Sequence, residues 1–297
     1  MKNIIRLLVC IMGIAYILTA PEIYSQTPRQ LTITSGRVNT LGKFNFQYGR
    51  LDISVKLPKT ADGLWPALRL IETDNNKAPG PDCGEIVLLE MGHFSGIKAG
   101  TQDRLYSGAA HWGPAGQDGS RPSHAVFQKN VYGLQHGDFH LFTLIWTPRY
   151  IRMYLDLDKI PEEQRDHAIP YFEMEITPEL EKYFCKPFYL IMNLAAGGNY
   201  TGITGPGSME NISALNKDNK YQAAMYVDYV RVYNEEGKLV FNDEFNGSRL
   251  DTAKWNIEAN NDDGGSQELQ SYRRQNVLLD KDRASGKNCL VLSAKRE

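Results

Sequence analysis

The chain has 297 residues, a formal net charge of -2, 42% hydrophobic and 23% charged residues. That composition suits a globular protein of one or two domains and excludes a disordered one. The near-neutral charge offers no basic surface for nucleic acid or for an anionic membrane.

The first element is a targeting signal over residues 1–25. Lys2 and Arg6 supply its positive end, residues 7–18 form an apolar run too short to span a bilayer, and Ser25 is a small residue before Gln26. An uncleaved anchor is the alternative. Cys10 lacks small residues before it, so lipid attachment is not expected. The mature protein is expected to be soluble, secreted or periplasmic, with no membrane association after signal removal. It keeps Cys83, Cys185 and Cys289, an odd and widely spaced set that makes neither a disulfide framework nor a metal cluster. Three buried thiols are expected, or one bridged pair.

From residue 26 onward the chain reads as all-β. Leu51, Ile53, Val55 and Leu57 alternate before Pro58 stops the strand. Strand runs follow at 140–146 and 151–155, with Pro148 and Arg149 between them. Others lie at 108–113, at 188–194 before Gly197-Gly198, and at 226–233, 239–241, 276–279 and 290–292. Many short strands punctuated by Gly and Pro imply a sandwich or barrel. Two long irregular segments, 156–186 and 202–220, are either cleft walls or surface decoration. In the first, Thr177 is placed to cap a short helix over 178–183.

The run Gly84-Glu85-Ile86-Val87-Leu88-Leu89-Glu90 carries the chemistry. Two acids in an apolar strand are costly unless they are solvated or used. Side chains alternate along a regular strand, so positions 85 and 90 would fall on opposite faces. A bulge adds one residue and returns Glu90 to the face of Glu85. Paired carboxylates on one cleft are the apparatus of glycoside hydrolysis. The alternative is two ordinary strand-edge glutamates.

The ordered motifs extend the point. Ser35-Gly36-Arg37, Tyr48-Gly49-Arg50, Gly63-Leu64-Trp65-Pro66-Ala67, the two-glutamate strand, Asp138-Phe139-His140, Ile145-Trp146-Thr147, Pro187-Phe188-Tyr189, Asn193-Leu194-Ala195 and Val227-Asp228-Tyr229-Val230-Arg231-Val232-Tyr233 follow one another. With these the chain resembles glycoside hydrolase family 16, the laminarinase-like β-glucanases. The resemblance implies a two-sheet jelly-roll sandwich with a concave glycan-binding cleft. Residues 26–233 match the later part of the family domain. Residues 238–297, with Asn242-Asp243-Glu244-Phe245, Lys254-Trp255, Gln267-Glu268-Leu269-Gln270 and Leu290-Val291-Leu292-Ser293-Ala294, resemble its opening strands. The order is therefore that of a circular permutant, with Asn234-Glu235-Glu236-Gly237-Lys238 as the joining turn. The alternatives are a fragment of a tandem array and a swapped dimer in which each tail completes its neighbour.

By resemblance Glu85 is the nucleophile and Glu90 the general acid and base of a retaining β-glucanase. Its partner would be a β-1,3-glucan or mixed-linkage β-1,3/1,4-glucan. Sugar contacts are expected from Trp65, Arg69, His111, Trp112, His140, Asn193, Gln270 and Asn276, and none of the six histidines has a zinc-ligand spacing. No cofactor is expected for catalysis. A structural Ca2+ held by backbone oxygens at Glu244 and Gly286 and by the Asp228 side chain is implied by the family pattern.

Two departures stand out. Val87 occupies a position where the family strand carries an Asp that tunes the nucleophile, and Leu68-Arg69 replaces an aromatic pair after Ala67. The first opens the alternative of a catalytically weakened glycan-binding protein. The second opens that of a hydrolase of sulfated algal galactans.

Overall fold

The computed structural model describes residues 31–73, 83–116, 120–259 and 266–297. The targeting signal expected at 1–25 lies outside the described residues. Residues 31–297 form one compact unit. Its strands in chain order are β1 (Ile33–Ser35), β2 (Arg37–Asn39), β3 (Gly49–Lys56), β4 (Leu64–Glu72), β5 (Glu85–Met91), β6 (Leu105–His111), β7 (Ser123–Lys129), β8 (His140–Trp146), β9 (Tyr150–Leu155) and β10 (Phe172–Glu175). They continue as β11 (Phe188–Ala196), β12 (Gln222–Tyr233), β13 (Leu239–Asp243), β14 (Asn256–Ile257), β15 (Gln270–Tyr272), β16 (Val277–Lys281) and β17 (Asn288–Arg296).

These strands make the two-sheet all-β sandwich expected from their spacing. One sheet runs β10-β9-β8-β3-β12-β17-β1-β15, with β13 also on β12 and β16 on β17. The other runs β14-β2-β11-β4-β5-β6-β7. Alternation along each strand sends one set of side chains inward. Leu51, Ile53 and Val55 of β3, Phe142, Leu144 and Trp146 of β8, and Leu290, Leu292 and Ala294 of β17 meet Leu64, Leu68 and Leu70 of β4 and Leu190, Met192 and Leu194 of β11 in one apolar core.

Residues 239–296 complete these same two sheets. β13 and β17 pair with β12, β14 with β2, and β15 runs parallel to β1. The link from β12 to β13 is the turn foreseen at 234–238. In it Lys238 N–H donates to Asn234 Oδ1 at 2.9 Å, and Gly237 takes a φ of +76° that a side chain would resist.

The helix foreseen at 178–183 is displaced. The α-helix spans Glu181–Phe184, and the Thr177 hydroxyl bonds the Glu179 carboxylate at 2.7 Å instead of capping it. An unforeseen helix, Phe94–Ala99, follows β5, with His93 Nδ1 accepting from Ser95 N–H at its start. The strand foreseen at 108–113 starts and stops earlier, as β6, because His111 ends the pairing with β5. Cys83, Cys185 and Cys289 are all free thiols.

Candidate active site

The bulge inferred from the spacing of the two glutamates is present. Along β5, Val87 pairs with Ala109 of β6 and Glu90 with Ser107, so three steps on one strand match two on its neighbour. The register on β4 slips at the same place. Leu88 and Leu89 both enter the core, and Glu90 returns to the outer face beside Glu85. Gly92 then lets the chain leave β5. Its φ is +95°, and a Cβ there would meet the Leu64 carbonyl oxygen at 2.0 Å.

Glu85 lies between two guanidinium groups. Arg69 Nη1 stands 3.5 Å from its Oε1, and Arg121 Nη1 stands 3.6 Å from its Oε2. His111 is its register partner on β6. Burial lowers the pKa of that imidazole, which opposes its being charged beside Arg121 and Arg69.

Glu90 has the opposite environment. It is 7% exposed, and Trp65 Nε1–H donates to its Oε1 at 3.1 Å. Burial pushes its pKa up to about 7. The charges of Glu85 and Glu268 push the same way, while Arg69 and the Trp65 bond resist. The two carboxyls thus sit in contrasting environments on one face, which suits one to act as a charged group and the other to carry a proton.

A chain of hydrogen bonds runs from Arg69 across β11 to β15 of the other sheet. Arg69 Nη2 donates to Asn193 Oδ1 at 3.0 Å, Asn193 Nδ2 donates to the Tyr272 hydroxyl at 3.2 Å, and that hydroxyl donates to Glu268 at 2.8 Å. Gln270 also donates to Glu268, and its Oε1 accepts from Ala196 N–H at 2.7 Å. The tail of the chain therefore supplies one wall of the cleft.

Several expected sugar contacts have other work. Trp65 is not an open platform, because Tyr200 stacks on its ring at 4.9 Å and leaves it 6% exposed. Asn193 is buried and spent on Arg69 and Tyr272, and Gln270 is buried and braces the β11 backbone. Asn276 is fully buried and donates to the Ser293 carbonyl at 2.9 Å. His140 stands on β8 in the other sheet, bonded to Asp156 at 2.8 Å. Trp112 alternates inward from His111 and packs edge-on against Phe184. Arg69 and His111 are the two of this set that the structure brings to Glu85.

The sequence reading missed Tyr200, Arg121, Glu268 and Tyr272. Glu268 carried a signal, since it stands two residues before Gln270. Arg121 carried none, because it reaches Glu85 from the segment between β6 and β7.

Of the residues expected to hold calcium, Asp228 has its carboxylate already engaged by a cation. The Asp228 carboxylate is bound by the Lys287 ammonium and by Ser54 Oγ–H at 3.3 Å. The Glu244 carboxylate is held bidentately by Arg231 at 2.8 and 2.9 Å, and Gly286 N–H closes a turn onto the Asp282 carbonyl, bonds that do not involve the backbone oxygens of Glu244 and Gly286 that the family pattern would use. The Lys287 ammonium balances the single charge of the Asp228 carboxylate. Among the described residues no cluster of three or more His, Cys, Asp or Glu side chains could hold a metal.

The profile of glycosyl hydrolases family 16 matches residues 16–181, more than half of the chain. The chain belongs to glycosyl hydrolases family 16. It is 33% identical over 218 residues to the glucan endo-1,3-beta-glucosidase A1 of Niallia circulans, covering 72% of this chain and 28% of that protein. It is 33% identical over 176 residues to a beta-1,3-glucan-binding protein of Penaeus monodon, covering 56% of this chain and 47% of that one. The chain thus spans less than half the length of either curated relative. Among solved structures, a family 16 protein of the Bacteroides ovatus mixed-linkage glucan PUL, in complex with a G4G4G3G product, superposes with a TM-score of 0.55 at 29% identity. That match covers 67% of this chain and 79% of the other. Among the described residues no helix is long and apolar enough to cross a membrane.

Proposed function

We propose that the chain is a secreted, endo-acting, retaining β-glucanase on a circularly permuted family 16 scaffold, working as a monomer on β-1,3-glucan or mixed-linkage β-1,3/1,4-glucan. One observation carries this reading: the bulge at Leu88-Leu89 sets Glu85 and Glu90 on one face in contrasting environments. Glu85 attacks the anomeric carbon while Glu90 gives its proton to the departing glycosidic oxygen. Water then attacks the glycosyl ester as Glu90 takes back a proton, and Glu85 leaves as a carboxylate. The Niallia and Bacteroides relatives support glucan as the substrate class.

Reducing-sugar release from laminarin and from mixed-linkage glucan tests it. Wild type is expected to cleave at least one of them, and Glu85→Gln to lose on the order of 10³-fold or more in rate. Proton NMR of the first product should show the β-anomer. Appearance of the α-anomer would exclude retention.

A second reading rests on Val87, which is 1% exposed and can give Glu85 no hydrogen bond. On that reading the cleft binds glycan with little turnover, as the name of the Penaeus relative suggests for that protein. An inert wild type that binds laminari-oligosaccharides, beside a Val87→Asp variant that cleaves them, would favour binding over hydrolysis.

A further inference from the structure

We propose that Arg69 is the positioning residue of the catalytic pair, clamping Glu85 from the neighbouring strand where the residue between the two acids, Val87, can hold nothing. The proposal rests on the hydrolytic reading above. Its geometry comes from the register: Arg69 of β4 pairs directly with Val87 of β5. Its guanidinium therefore projects on the same face as Glu85 and reaches back to it.

The fork of Arg69 has two ends with different tasks. Nη1 faces Glu85 at 3.5 Å, and Nη2 is anchored on Asn193 at 3.0 Å. Asn193 is in turn held by Tyr272, and Tyr272 by Glu268. Arg69 thus ties the nucleophile of β5 to β11 and to the tail of the chain at once. A planar guanidinium fixes both directions, which a lysine ammonium cannot do. The side chain is 14% exposed, and its Nε–H has no partner, so burial here is retained at a cost that surface packing alone would not require.

Arg121 does not duplicate this clamp. Its Nε–H is spent on the Gly113 carbonyl and its Nη2–H on the Cys83 carbonyl, so it is fixed to loop backbone and not to the sheet.

The position of Arg69 also bears on the second half of the reaction. Glu85 is neutral while esterified and regains its charge as it leaves. A fixed cation beside it favours that carboxylate without moving. Burial works against the charge of Arg69, but in the free site the carboxylates of Glu85, Glu90 and Glu268 around it outweigh burial and raise its pKa, and a guanidinium does not give up its proton in proteins.

Arg69→Met and Arg69→Lys, compared with wild type, test the proposal. Kinetics on laminarin and mixed-linkage glucan over a range of pH are paired with a carbon-13 NMR titration of the Glu90 carboxyl without substrate. Arg69→Met is expected to lower kcat on the order of 10²-fold with KM within about threefold, and to move the basic limb and the Glu90 titration to higher pH. Arg69→Lys keeps the charge and loses the fork, so kcat should fall only about tenfold and the Glu90 titration should stay in place. A folded Arg69→Met variant with wild-type kcat and an unmoved basic limb would overturn the proposal, as would wild-type kcat in Arg69→Lys if the Met variant fails to fold. If wild type cleaves no glucan, the hydrolytic reading is what fails. The NMR titration then still decides whether Arg69 couples to the pair, and an unmoved Glu90 in Arg69→Met rejects it.

Discussion

The indole N–H of Trp65 donates to the carboxyl of Glu90 at 3.1 Å, and Tyr200 closes over the same indole ring. A tryptophan that reads in the sequence as a sugar platform is therefore a fixed hydrogen-bond donor to the proposed acid, Glu90. Its bond favours the ionised form of Glu90 and works against burial. Trp65→Phe keeps the ring under Tyr200 and removes only the donor. The basic limb of kcat/KM should move to higher pH, and kcat at neutral pH should fall about three- to tenfold, consistent with about 1 kcal/mol for one hydrogen bond. An unchanged pH profile would mean that the bond is absent in solution.

On the proposed mechanism Glu90 links catalysis to stability. Its pKa is about 7 in the folded protein, chiefly through burial, against an ordinary value of 4.5. The folded state therefore binds this proton more tightly than the unfolded state. The contribution of Glu90 is most favourable below the unfolded pKa and declines as pH rises through about 7. Glu90→Gln removes the charge and the titration together. It should abolish hydrolysis yet be more stable than wild type at alkaline pH, by on the order of 2 kcal/mol, with the gain vanishing near pH 4. Chemical denaturation of both proteins at the two pH values reads this directly. Equal differences at both would show that Glu90 is solvated.

The lysine beside Asp228 makes a prediction about metal. Lys287 is bonded to the carboxylate that the family pattern would offer to calcium. Chelator and millimolar calcium should each leave the melting temperature of wild type within about 1 °C, since the charge is already balanced. Lys287→Met should cost no more than about 1 kcal/mol, because the lysine is partly exposed, and should expose Asp228 to added calcium. A rise of several degrees in wild type with calcium would show that the ion displaces the lysine.

What the sequence disclosed follows from what each signal measures. β3 came out within two residues from the alternation of Leu51, Ile53, Val55 and Leu57, and β8 to the residue from its apolar run, because such patterns report burial directly. The bulge was legible because two acids five apart in an apolar run cannot otherwise share a face. The short strands β1, β2, β14 and β15 were not, since two or three residues carry no period. Polar residues of the cleft were the least legible. Asn193 and Asn276 look alike in sequence, yet one bridges Arg69 to Tyr272 and the other is sealed against the Ser293 carbonyl. Only tertiary packing separates a sugar contact from a brace.

The order of the strands gives the last prediction. Residues 239–296 supply β13 to β17, of which β13, β14, β15 and β17 pair with β12, β1 and β2 of the same chain and β16 with β17. The far end of this segment lies on the first described residues, because Glu297 N–H donates to the Thr32 carbonyl at 2.9 Å and Thr32 N–H donates to the Glu297 carbonyl at 3.1 Å. A short turn can therefore join residue 297 to residue 31, and the tight turn at 234–238 can be opened without cutting a strand. The reordered chain, 238–297 followed by 31–234, should fold as a monomer with a melting temperature within roughly 10 °C of the parent and keep its glucan cleavage, since every sheet contact is retained. A chain ending at residue 234 lacks five strands and the Glu268–Tyr272 wall of the cleft, and should not fold. A reordered chain that aggregates while the parent is stable would show that the present order is required for folding as well as allowed by the fold.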